Sequence, residues 1–272
     1  MLIAMRLVFV MFVFVLLPFV LTQGAAALES GKVTHIVDGD TVVVDSHNVR
    51  LLGINTPEKA RGTAPAEPGA KKATKKLRAL LTGPDGTFRH VKLTYDTNKT
   101  DRYDRLLAHL YLTDGTWVNK ALVEAGVAHV YSFPDNRAHV PALLKAEKQA
   151  RAAGKSMWQH PNWQVLDAKN LTPDARIGQF RLVKGKPLKA AKVNKRIYLN
   201  YGADWRTDFT VEIPKEFWPL FENAGINPLT HYSNKTVVAR GRLKPVNGVL
   251  ITVTHPEQLQ LLSSDAGNHP SK

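Results

Sequence analysis

The chain has 272 residues, 44% of them hydrophobic, with 37 Lys+Arg against 23 Asp+Glu for a formal net charge of +14. That length suits one large domain or two moderate ones, and that composition excludes wholesale disorder. The absence of cysteine excludes a disulfide framework, thiolate zinc sites and cysteine nucleophiles, while the positive surplus calls for an anionic partner: nucleic acid, anionic lipid or an acidic polymer.

The chain opens with Arg6, an unbroken apolar run from Leu7 to Leu21, and the small residues Gly24-Ala25-Ala26-Ala27. This is the layout of a secretory signal over 1–27, cleaved after Ala27, and it predicts a secreted or periplasmic protein. A retained N-terminal anchor is the alternative, although the run is short for a membrane span and holds Pro18. The remainder divides near Trp163 into a domain over 28–165, a β-rich one over 166–262, and a flexible tail over 263–272.

Three β-rich runs come first, at 32–37, 41–45 and 48–54, separated by Asp38-Gly39-Asp40 and Ser46-His47-Asn48 turn chemistry. Ala70, Ala73, Leu77, Leu80 and Leu81 set a helix over 67–82, and strands return at 87–95 and 106–112. Helices then fit 116–126 and 139–153. The expected class is α+β, mainly β: a small closed barrel carrying helices. Strands at 176–184, 189–200, 207–213, 235–244 and 248–254, with a helix at 214–224 between the third and fourth, give the second half the element order of an OB-type barrel.

Alternation explains the apolar residues of the first half but not its polar clusters. Asp38-Gly39-Asp40-Thr41 is followed by Arg50-Leu51-Leu52-Gly53-Ile54-Asn55-Thr56-Pro57-Glu58, and later by Asp101-Arg102-Tyr103-Asp104-Arg105-Leu106-Leu107-Ala108. Oxygen ligands suit a hard divalent cation, a neighbouring carboxylate can take a proton from water, and paired arginines can grip a phosphate.

These linked motifs resemble the thermonuclease (staphylococcal-nuclease-like) family over about residues 30–160. The resemblance implies an OB-type five-stranded barrel with three helices, and calcium-dependent cleavage of DNA and RNA phosphodiesters that leaves 3′-phosphate ends. It also assigns roles. Asp40 becomes the metal-binding carboxylate, with Asp38 supporting it from behind, and the Thr56 carbonyl approaches the metal. Glu58 activates the attacking water, Arg50 and Arg105 hold the scissile phosphate, and Tyr103 lies beside the nucleotide. Asn55 departs from the pattern. It stands where the family's best-known member has a second metal-binding aspartate, so one negative charge is lost and weaker Ca²⁺ binding is expected. Tyr131 or Phe133 offers a ring for base stacking, in a segment that aligns poorly with the family's aromatic wall.

Lys71 and Lys72 belong to a basic helix face that suits phosphate-backbone contact. Between Ala175 and Ala203 the chain carries basic residues and no acid, a stretch that suits one exposed barrel face for single-stranded nucleic acid. The histidines show no zinc spacing. The sequence reading is thus an exported, metal-dependent endonuclease acting on nucleic acid, single strands favoured. The rivals are a non-catalytic module binding nucleic acid or protein and a protein of anionic membrane surfaces.

Overall fold

The computed structural model describes residues 28–172 and 176–262. The signal read at 1–27 and the tail read at 263–272 lie outside the described residues. No helix among the described residues is long and apolar enough to cross a membrane.

Strands β1 (Ser30–Ile36), β2 (Thr41–Val44) and β3 (His47–Leu51) form a meander. A turn at Gly53 leads into the short β4 (Ile54–Asn55), and α1 (Ala70–Leu81) precedes β5 (His90–Thr94) and β6 (Leu106–Leu112). The barrel closes in the order β1-β2-β3-β6-β5, with β3 and β6 parallel. This is the expected five-stranded OB-type barrel. Val33 and Ile36 both point inward, although three residues apart, because a bulge between Val33 and His35 shifts the register against β2. The predicted helix starts late because Pro68 and Gly69, the latter at φ 106°, hold the chain out of the helical region.

Helices α2 (Val118–Glu124) and α3 (Val140–Ala152) cover the barrel, and β7 (His129–Val130) between them pairs with β4. Asn119 of α2 is wholly buried. Its amide accepts from the Leu110 N–H at 3.0 Å and donates to the Leu52 carbonyl at 2.9 Å. A buried amide left unpaired would cost about 1–3 kcal/mol, so this residue ties the helices to the strands that carry the polar clusters.

The second half contains β8 (Leu166–Asp167), β9 (Phe180–Gly185), β10 (Lys189–Val193), β11 (Arg196–Asn200) and β12 (Phe209–Pro214). After these come α4 (Trp218–Glu222), α5 (Pro228–His231), β13 (Val237–Arg242), β14 (Val249–Thr252) and β15 (Leu259–Leu261). Two four-stranded sheets, β10-β11-β12-β14 and β15-β13-β9-β8, meet where Lys244 and Leu250 exchange backbone hydrogen bonds. β12 lies parallel to β14 and β9 antiparallel to β13, the pairings that β3–β6 and β1–β5 make in the first barrel. Pro187 lies in the break between β9 and β10, where a residue without an N–H cannot continue the ladder.

The halves are joined by a buried seam. Ala150, Met157, Trp158 and Trp163 pack with Leu182 and Val238. Beside them Arg240 of β13 grips Glu147 of α3 at 2.7 and 3.1 Å, both side chains essentially without solvent exposure. Arg240 and the Val130 N–H hold the Glu147 carboxyl below the ordinary range even though burial opposes it.

Candidate active site

The β1–β2 loop, the end of β3 and the turn before β6 meet over one cleft of about 810 Å³. The first loop is folded by its own groups: Val37 N–H donates to the Thr41 carbonyl at 2.9 Å, and the Asp38 carboxylate accepts from the Asp40 N–H at 3.0 Å. Gly39 is required by close approach, because a Cβ there would stand 2.5 Å from Thr56 Oγ1. The loop therefore lies directly on the Thr56 segment. Asp40 Oδ2 accepts from Thr56 N–H at 2.7 Å and Thr56 O–H at 3.0 Å, which locks the two together.

Arg50 lies opposite Thr41 in the β2–β3 ladder and reaches three acceptors. Its Nη1 donates to the Leu51 carbonyl at 2.7 Å, while Nη2 donates to Asn55 Oδ1 at 2.7 Å and lies 3.3 Å from Asp40 Oδ2. Burial raises the Asp40 pKa, Arg50 opposes that, and the charge of Asp38 adds to it. Glu58 lines the same cleft. Partial desolvation and then the charges of Asp40 and Asp38 push its carboxyl above the ordinary glutamate value, which improves its match to proton transfer near neutral pH.

Arg105 is aimed by Asp101, a role the sequence reading did not assign. One Asp101 oxygen takes Nε at 2.9 Å and Nη2 at 2.8 Å, and the other accepts from the Arg105 and Tyr103 backbone N–H groups. The turn between them needs Asp104 at φ 58°, a conformation that aspartate tolerates better than most residues. Tyr103 lines the cleft, 63% exposed, and accepts a hydrogen bond from Arg102.

Three carboxylates, Asp38, Asp40 and Glu58, feel one another's charge here. Such oxygen donors are the chemistry of a hard divalent cation, yet among the described residues no group of three or more His, Cys, Asp or Glu side chains is placed to hold a metal ion. Two other expected ligand atoms are engaged within the protein: Asn55 Oδ1 receives Arg50, and the Thr56 carbonyl receives Asn55 Nδ2 at 3.0 Å. The Asn55 side chain would have to turn before its own oxygen or the Thr56 carbonyl could meet a cation beside Asp40.

The structure thus brings Asp38, Asp40, Arg50, Asn55, Glu58, Tyr103 and Arg105 to one cleft, with Thr56 bound directly to Asp40. It does not bring Lys71 and Lys72 there. They are exposed on α1 and border a separate hollow with Met157 and His160, because the helix turns that face away from the barrel mouth. Arg61, Phe180 and Arg242 also line the cleft and were not singled out from sequence as site residues. Of the basic stretch after Ala175, Arg181 is buried, with its guanidinium 5.5 Å from the centre of the Trp163 ring.

A family model described as staphylococcal nuclease homologue matches residues 48–160. The thermonuclease of Staphylococcus hyicus is 32% identical over 133 residues, which cover 47% of this chain and 75% of that protein. The thermonuclease of Staphylococcus intermedius is 31% identical over 135 residues, 48% of this chain and 77% of that one. An uncharacterized endonuclease of Escherichia coli is 32% identical over 132 residues, 47% of this chain and 76% of its own. Similarity of this extent, carried on a closed five-stranded barrel, shows that the chain belongs to the staphylococcal nuclease family of phosphodiester hydrolases.

Proposed function

We propose that this protein is an exported, calcium-dependent nuclease that hydrolyses phosphodiester bonds of DNA, RNA or both within single-stranded segments. The observation that carries the reading is the convergence of Arg50, Arg105, Glu58 and Asp40 on one cleft. Export rests on the N-terminal signal pattern.

Arg50 and Arg105 grip the non-bridging oxygens of the scissile phosphate, their planar guanidinium groups offsetting the charge that grows there. Glu58 takes a proton from a water molecule, and the water oxygen attacks phosphorus in line with the 5′-oxygen. The P–O5′ bond breaks, the departing 5′-oxygen takes a proton from solvent and Glu58 returns its own to solvent, leaving a 3′-phosphate and a 5′-hydroxyl. Asp101 keeps Arg105 extended toward the phosphate through its two-point contact. Asp40 would hold Ca²⁺ together with the reoriented Asn55 and the Thr56 carbonyl, where the ion would supply positive charge against the phosphate.

The test is hydrolysis of heat-denatured DNA by the purified protein in Ca²⁺ and in EGTA. Cleavage in Ca²⁺ that is lost in EGTA and in Glu58→Gln is expected. Undiminished cutting in EGTA would overturn the metal assignment. No cutting in Ca²⁺ would overturn the enzymatic reading and leave the non-catalytic binding module.

A further inference from the structure

The second half reaches into the cleft with two side chains. Phe180 opens β9, Arg242 closes β13, and the two are direct cross-strand partners, so they stand on the same face of the sheet. Both line the cleft that holds Arg50, Glu58 and Arg105.

Phe180 lies over the buried His129 ring at 4.7 Å and nearly parallel to it, and meets the Tyr131 ring edge-on at 5.3 Å. Tyr131 in turn meets Phe133 at 5.2 Å, and Phe133 is 45% exposed. Rings from both halves of the chain thus form one aromatic shelf. Beside it Arg242 is exposed and donates to the Gly178 carbonyl, with no carboxylate partner among the described residues. Neither residue floats. The buried Arg240–Glu147 pair lies two residues before Arg242, and Arg137–Glu257 and Ser132–His255 contacts bridge the halves nearby.

An aromatic shelf next to an exposed guanidinium that has no carboxylate partner among the described residues, within a cleft that gathers two further arginines, has the chemistry of one more nucleotide. Aromatic faces stack on any unpaired base, and the cation meets its phosphate. A duplex keeps its base faces covered, so the shelf favours a single strand. We infer that β9 and β13 supply a subsite for a nucleotide beyond the two that flank the scissile phosphate, in which Phe180 extends the base-stacking shelf and Arg242 pairs with a backbone phosphate. The inference rests on the nuclease reading. It assigns the second half a part in gripping longer single strands, separate from the bond-breaking step.

The experiment compares a single-stranded DNA 10-mer with a dinucleotide, using the full-length protein in Ca²⁺. Arg242→Ala and Phe180→Ala are each expected to raise KM for the 10-mer by about tenfold, the ordinary size of one lost stacking or phosphate contact. kcat should stay within about twofold and dinucleotide kinetics should not change, because neither side chain takes part in proton transfer or grips the scissile phosphate. Phe180→Trp should restore KM. If Phe180→Ala fails to fold, Arg242→Ala and Phe180→Trp decide the matter. Wild-type KM for the 10-mer in Arg242→Ala and Phe180→Ala, or an equal rise for both substrates, would overturn the subsite. If the wild type cuts neither substrate, the nuclease reading falls separately, and fluorescence anisotropy of a labelled 10-mer still decides. Binding weakened by Arg242→Ala then supports the subsite, and unchanged binding overturns it.

Discussion

The same Nη2 nitrogen of Arg50 that donates to Asn55 at 2.7 Å also stands 3.3 Å from Asp40. The arginine expected to hold phosphate thus also restrains a residue expected to hold calcium. Replacing Asn55 with aspartate adds a negative charge where ligand charge sets affinity. Asn55→Asp is expected to tighten Ca²⁺ binding by about tenfold, measured by isothermal titration. Equal or weaker binding would mean that Arg50 retains the new carboxylate.

Glu58 carries little of the fold, being exposed at the cleft. Glu58→Gln should therefore lower kcat by about 10²–10⁴ while the melting temperature stays within a few degrees. A steady-state assay beside a thermal melt checks both.

Asp101 acts through Arg105. Arg105→Ala should cost kcat/KM more than Asp101→Asn, because the amide still accepts one hydrogen bond from the guanidinium while losing the charge that fixes it. The cleaner sign of positioning is that Asp101→Asn adds little further loss in the Arg105→Ala background. Fully additive losses in the double mutant would give Asp101 a role of its own.

The first barrel was legible in the sequence because its strands alternate and its turns carry Gly, Asp and Asn. The second half was less so, for definite reasons. The run 189–200 is two strands joined at Asn194 and Lys195, both at positive φ (46° and 62°). That is a two-residue hairpin turn without the glycine that usually announces one. The helix read at 214–224 begins as a 3₁₀ turn over Lys215–Phe217 and turns α-helical only from Trp218, where Pro219 sits in the first turn. At the site, residue types and spacing found Asp40, Arg50, Glu58 and Arg105. Asp101 lies four residues before Arg105 in the same polar motif, a spacing that is the sequence signal of its pairing. Phe180 and Arg242 had none, since strand pairing alone brings them together.

The Arg240–Glu147 pair is almost completely buried, so removing Arg240 leaves the Glu147 charge only the longer 3.9 Å contact with Arg151. Arg240→Met is expected to cost about 3–5 kcal/mol of stability, whereas Arg240→Met with Glu147→Met should recover most of it. Equilibrium denaturant unfolding measures both. A loss below 1 kcal/mol in the single variant would mean that water reaches the pair.

His109, His129 and His255 are buried and desolvated, each with its pKa lowered to about 3. The unfolded chain takes up these protons near pH 6.5, whereas the fold refuses them until about pH 3. Their stabilising contribution is thus complete above pH 6.5 and falls as the solution is acidified toward pH 3, by up to about 1.4 kcal/mol per pH unit for each histidine. Unfolding midpoints measured across that window should drop steeply. Replacing His129, whose buried ring nitrogens have no hydrogen-bond partner among the described residues, with Phe should flatten the slope.

Strands β9 and β13 serve two structures at once. One end of their ladder carries Phe180 and Arg242 into the cleft, and within it Leu182, Val238 and Arg240 close the seam between the halves. The back wall of the cleft and the seam of the molecule are therefore a single piece of sheet. A perturbant that parts the two halves strips the cleft of that wall, so grip on long single strands is expected to fade with it.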